Sequence, residues 1–249
     1  MTRHQVVSRD EWRAARLSLL TKEKELTRLN DSLSQARRDL PWVKLEKPYM
    51  FDGPDGRETL SDLFGGRSQL IVYHFMFAPG WKEGCHGCSF FADQIDGPNQ
   101  HLAHHDVAMA LISRAPWNEL APFKQRMGWK VKWVSSHGTD FNEDFDVTFS
   151  KDQIAKGEID YNFGTITTDK RYMSEELPGI SVFYKDADGT VFHTYSAYAR
   201  GLDALMNSQH LLDITPKGRN ERSPTGEFIE WIRHHDKYDG GEKAASCCE

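Results

Sequence analysis

A chain of 249 residues with 39% hydrophobic and 12% aromatic side chains carries enough apolar surface for a sizeable core. Its 31 Lys plus Arg against 37 Asp plus Glu give a net charge of −6, and no basic stripe runs along it, which argues against nucleic acid as a main partner. No apolar run is long enough to span a bilayer, and the polar start Met1-Thr2-Arg3-His4-Gln5 lacks the apolar stretch of a secretion signal. No membrane partner is therefore expected, and the cytoplasm is the expected compartment.

Ser8 followed by Glu11 has the spacing of a capping box, in which each side chain serves an orphan amide of a helix start. Beyond it Trp12, Leu19, Leu20, Leu26, Leu29 and Leu33 recur near helical spacing, which predicts a long amphipathic helix ending before Pro41. Its apolar stripe should lie on the domain surface or on a second subunit, so a homodimer through this helix is the expected assembly.

Tyr49-Met50-Phe51 and Glu58-Thr59-Leu60 flank the turn cluster Asp52-Gly53-Pro54-Asp55-Gly56 and read as a hairpin. The run Gln69–Phe77 is almost continuously apolar, the pattern of a central strand buried on both faces. The loop Ala78–Gly84 then leads into Cys85-His86-Gly87-Cys88. A helix is expected over Ser89–His104, broken or kinked by Gly97-Pro98. Val107–Ile112 reads as a second buried strand, Trp117–Met127 as a helix and Lys130–Val134 as a further strand. Ser135–Glu176 is polar and weakly patterned, the look of an insertion. Gly179–Lys185 and Thr190–Tyr195, joined through Asp188-Gly189, form an antiparallel hairpin. Helices follow near 201–212 and 227–234. Strands alternating with helices and then a hairpin give an α/β class, a central mixed sheet flanked by helices. The expected organisation is a helical arm over 1–41, a body over 42–236 with an insertion at about 135–176, and a flexible tail over 237–249.

The four cysteines form two close pairs, Cys85/Cys88 and Cys247/Cys248. In a reducing compartment a CxxC reads as redox or metal-binding, and no second CxxC stands at zinc-ribbon spacing. A CxxC that closes a buried strand and opens a helix places its first cysteine at unpaired amides and at the positive end of the helix dipole, which favours a thiolate. Cys85 is thus the expected nucleophile and Cys88 the resolving thiol. His86, between them, would favour the Cys85 thiolate as a cation.

The strand Leu70–Phe77, Trp81 and the CxxC together resemble the active-site region of thioredoxins, and Leu60–Gly66 resembles the lead-in segment of peroxiredoxin-type enzymes. Several further segments resemble the thioredoxin-like proteins of domain-of-unknown-function family 899. They are Tyr73–Phe77, Gly84–Ser89, Gly138–Asn142, Phe192–Ser196 and Trp231–Tyr238. This resemblance implies a thioredoxin-like fold over nearly the whole chain, with a long N-terminal helix and a polar insertion. The CxxC at the helix start makes a thiol–disulfide oxidoreductase acting on a small or protein disulfide, with no cofactor, the leading expectation. Two departures stand out. Gly84 replaces the tryptophan that precedes the first thioredoxin cysteine, and Lys82 stands where peroxiredoxins carry a threonine, which disfavours a conventional peroxidase.

The resemblance further aligns Ser181 with the thioredoxin cis-proline that faces the cysteines, with Pro178 three residues earlier, so the proline role has either moved to Pro178 or is absent. Trp81, Pro178, Ser181 and Tyr195 are then the candidate substrate-contacting residues. An open face beside the sulfurs admits a metal alternative, in which Cys85, Cys88 and His193 hold copper or zinc. A non-catalytic interaction domain is the third reading. His101, His104, His105 and the His234-His235-Asp236 group are expected at the surface, Cys247/Cys248 as adventitious thiols, and Arg200 beside Tyr195 at a pocket.

Overall fold

A computed structural model describes residues 4–165, 173–219 and 231–238. The chain divides into two compact units, Met1–Pro41 and Trp42–Glu249. The first is helix α1, Arg9–Arg38. The Ser8 hydroxyl accepts the Glu11 amide and the Glu11 carboxylate accepts the Ser8 amide at 2.9 Å, the full capping box. Trp12, Leu19 and Leu26 are exposed in the single chain.

The second unit is built on one eight-stranded sheet. Its strands are β1 Val43–Lys44, β2 Met50–Gly53, β3 Gly56–Thr59, β4 Gln69–His74, β5 Val107–Ser113, β6 Lys132–Ser135, β7 Gly179–Lys185 and β8 Val191–Tyr198, in the order β1-β8-β7-β4-β5-β6-β2-β3. Strands β4, β5 and β6 run parallel, and β7 and β8 continue antiparallel from the other edge of β4. Every side chain of β5 is buried, as a strand covered on both faces by crossover elements requires.

The pleat of β4 separates two cores. On one face Tyr73 and the following Phe75 pack with Cys88 and Phe91 of α2 (His86–Asp96), with Leu120 and Phe123 of α4 (Trp117–Met127), and with Trp129 and Trp133. On the other face Leu70 and Val72 pack with Phe64, Tyr49, Phe141, Phe145 and Phe183. Gly97-Pro98 ends α2 outright, and a separate helix α3 covers Asn99–His104.

The stretch expected as a polar insertion has an apolar centre of its own. It contains α5, Phe141–Asp144, and α6, Lys151–Lys156. Val147, Phe149, Ile159 and Tyr161 are buried there with Leu177 and Tyr198. After β8 the expected helix is split into a 3₁₀ segment, Ala199–Leu205, and α7, Asn207–Asp213. The helix expected over 227–234 is not seen at 231–234, where Trp231 forms a turn and His234 is extended; its remainder lies outside the described residues. So does the pair Cys247/Cys248.

Candidate thiol site

The loop after β4 folds back so that the CxxC seals its own end. The Cys85 amide donates to the Met76 carbonyl at 3.1 Å, and the Met76 amide donates to the Cys88 sulfur at 3.4 Å. Cys85 is the N-cap of α2, with its carbonyl taking both the amide and the hydroxyl of Ser89 at 2.9 Å. This places the first sulfur over the open amides of the helix start and the second one turn inside, against the sheet.

The two unbridged thiols are consequently unequal. Cys85 is half-buried and Cys88 is 1% exposed. The Cys88 thiol, together with the amides of Cys88 and Gly87, lowers Cys85 to about 7 against the opposing effect of burial. Burial pushes Cys88 far above the ordinary thiol range, with Cys85 adding to the rise. His86 opens α2 with an exposed side chain.

Gly84 explains one departure from thioredoxin. A Cβ there would lie 2.5 Å from Cε1 and 2.9 Å from Cζ of Phe75, and 3.0 Å from Phe123. The backbone before Cys85 lies flat on the aromatic core, so a tryptophan has no room.

A segment expected at the surface closes over this loop. His234 is 5% exposed, its ring edge-on to Phe123 at 5.3 Å, and its Nε2 lies 2.9 Å from the Gly84 carbonyl. A carbonyl only accepts, so Nε2 carries the proton and donates to the peptide that ends in the Cys85 amide. Around it Lys237 Nζ donates to both Glu83 oxygens at 2.8 Å, while Arg126 bridges Glu83 and Asp236. Lys237, followed by Arg126, holds the Glu83 carboxyl below its ordinary range, and Arg126 lowers Asp236 to about 2. The sequence signal for this segment is the resemblance of Trp231–Tyr238 to the family, which does not say what the segment covers.

The other candidates fall in different places. Trp81 is 39% exposed on the loop before the CxxC. Tyr195, with Phe163, Tyr198 and Arg200, lines a cavity of about 350 Å³, and on its inner side it packs against the core that holds Cys88. Ser181 does not face the sulfurs. It pairs with Val72, on the sheet face opposite Tyr73, and bonds His74 Nε2 at 2.9 Å and the Ser196 hydroxyl at 2.9 Å. Ile180, paired with Tyr73, is the β7 side chain that joins the Cys88 core. Pro178 precedes β7 through a trans bond, and its carbonyl accepts the Tyr161 hydroxyl at 2.6 Å.

His193 also lies on the far face, its ring against Phe145 and Phe183 and its Nε2 2.8 Å from Ser196. The sheet therefore stands between it and the thiols, and the expected copper or zinc set of Cys85, Cys88 and His193 does not converge. Among the described residues no group of three His, Cys, Asp or Glu is placed to hold a metal ion. His101, His104 and His105 are exposed as expected.

A CxxC capping the helix after β4, the parallel β4-β5 pair and the β7-β8 hairpin on the opposite edge of β4 define a thioredoxin-like fold with a thiol pair at its helix start. The family model described as "Bacterial protein of unknown function (DUF899)" matches residues 1–238, and the chain belongs to that family. No curated protein sequence matches it. Among solved structures it is similar to the peroxidoxin BcpB of Mycobacterium tuberculosis, at 13% identity over 70% of this chain and 97% of that one, with a TM-score of 0.45. A PrxQ mutant from Xylella fastidiosa matches at 12% identity over 69% and 94%, with a TM-score of 0.43. A secreted disulfide oxidoreductase of Mycobacterium tuberculosis matches at 14% identity over 64% and 92%, with a TM-score of 0.35. Among the described residues no helix is long and apolar enough to cross a membrane.

Proposed function

We propose that this chain is a thiol–disulfide oxidoreductase, with Cys85 as nucleophile and Cys88 as resolving thiol. The observation that carries the reading is the inequality of the two sulfurs: Cys85 sits at the helix start with its acidity near neutral pH, and Cys88 is buried and held protonated. The Cys85 thiolate attacks a disulfide, one substrate thiol leaves and takes a proton, and a mixed disulfide forms. Cys88 then attacks the Cys85 sulfur, the second substrate thiol leaves, and the Cys85–Cys88 disulfide remains. An external dithiol returns both cysteines to the reduced state. Trp81 and the cavity beside Tyr195 offer apolar surface for a small or protein disulfide. A reducing compartment such as the cytoplasm suits a pair that must rest as thiols.

The test is alkylation and turnover. Iodoacetamide should label Cys85 well before Cys88, with a rate that rises through a midpoint near pH 7. Cys85→Ser should abolish reduction of small disulfides, and Cys88→Ser should trap mixed disulfides on Cys85. Equally slow labelling of both thiols without disulfide reduction would instead favour a non-catalytic interaction domain.

A further inference from the structure

The resolving step sets a problem that the two cysteines do not solve alone. Cys88 must become a thiolate to attack Cys85, and it is buried at 1% exposure, where a thiolate loses its hydration. Its surroundings are aromatic and aliphatic side chains of the main core. Three polar groups act on the sulfur. One is the Met76 amide at 3.4 Å, a fixed backbone donor. The second is the Cys85 thiol, the group it must attack, and the third is the phenol of Tyr73, which shares its core and favours its thiolate.

Tyr73 is held there by geometry on both sides. It stands on β4 facing α2, 2% exposed, and its ring stacks on Phe91 with centroids 4.1 Å apart and planes at 18°. Phe91 follows Cys88 by three residues, so both lie on the same face of α2. Stacking on Phe91 therefore holds the Tyr73 ring against the face of α2 that carries Cys88, and Phe75 closes the other side edge-on at 6.4 Å.

We propose that Tyr73 is a catalytic residue of the resolving step, donating its hydroxyl hydrogen bond to Cys88 as that sulfur becomes a thiolate. This rests on the oxidoreductase reading above. The balance is simple. The Cys88 proton passes to the departing substrate thiolate, the bond between Cys85 and the substrate sulfur breaks, and the Cys85–Cys88 bond forms. Tyr73 keeps its proton throughout. Burial raises the phenol well above its ordinary range, so it remains a donor wherever the thiols react. With the Met76 amide it forms a two-donor pocket for one sulfur, preorganised before the charge arrives.

The test is Tyr73→Phe, which keeps the ring on Phe91 and removes only the hydroxyl. A mixed disulfide is formed on Cys85 with 5-thio-2-nitrobenzoate, and release of the coloured thiol reports its resolution by Cys88. Tyr73→Phe should slow release about tenfold or more, the loss expected for a hydrogen bond to a charged group, while Cys85 is alkylated at close to its normal rate. In a Cys85→Ser background, Tyr73→Phe should also move the pH midpoint of Cys88 alkylation upward. Release at the wild-type rate with an unmoved Cys88 midpoint would overturn the role of Tyr73 and leave the oxidoreductase reading standing. If wild-type protein forms the mixed disulfide and never releases the thiol, the oxidoreductase reading fails first.

Discussion

At the residue scale the site is decided by two neighbouring positions. Cys85 is the N-cap of α2, so helix-start amides act on it; Gly84 lacks a side chain, so the chain can lie against Phe75 and Phe123. The positions of Cys85 and Cys88 are legible from the sequence because a strand, a loop and a CxxC in that order leave little choice about which sulfur caps the helix. Ser181 and His193 were misplaced for a simple reason: pairing register decides which face a strand residue occupies, and sequence does not fix register to within one residue. Gly84→Ala gives a direct check. Its Cβ would meet Phe75 at 2.5 Å, and overpacking of this kind costs about 1–3 kcal/mol. Thermal melting should fall by several degrees, and Cys85 alkylation at pH 7 should slow as the loop lifts. An unchanged melting temperature would mean that the loop is not seated on those rings.

At the scale of elements, the strands that read most clearly are those whose burial is written into their own composition. Val107–Ser113 and Gln69–His74 are apolar nearly throughout, and both are central strands. The 135–176 stretch and Trp231–Tyr238 read poorly because their burial depends on partners distant in sequence. Val147 and Tyr161 are irregularly spaced, and His234 is buried only because Phe123 and the Gly84 carbonyl receive it. On the proposed function, His234 acts on the site through its hydrogen bond to the Gly84 carbonyl, as a positioning residue. His234→Ala should leave that carbonyl without its donor, a loss of about 1–3 kcal/mol. It should shift the pH midpoint of Cys85 alkylation away from 7, whereas His235→Ala, on the exposed neighbour, should not. Equal midpoints in wild type and His234→Ala would reduce the segment to ordinary packing.

At the scale of the whole molecule, a buried polar chain crosses three strands on the face away from the thiols. His74 on β4 bonds Ser181 on β7, Ser181 bonds Ser196 on β8, and Ser196 bonds His193 on β8. His74 is 1% exposed between the rings of Phe141 and Phe145. Burial, followed by the nearby His193, lowers it from 6.5 to about 3, so the folded protein holds it neutral. His193 is lowered in the same direction by its own burial. Unfolded, both rings would take up protons below about pH 6.5. The unfolded state then binds more protons than the folded one, and stability rises with pH across that interval. The contribution of His74 is complete above about pH 6.5, declines by roughly 1.4 kcal/mol per pH unit as the pH falls toward 3, and levels off below it. His74→Leu keeps an apolar side chain between the two phenylalanines and leaves Ser181 its bond to Ser196. Urea unfolding measured from pH 7.5 to pH 4 should therefore show a shallower acid loss for His74→Leu than for the wild type. Parallel pH curves for the two proteins would show that acid sensitivity arises elsewhere in the fold.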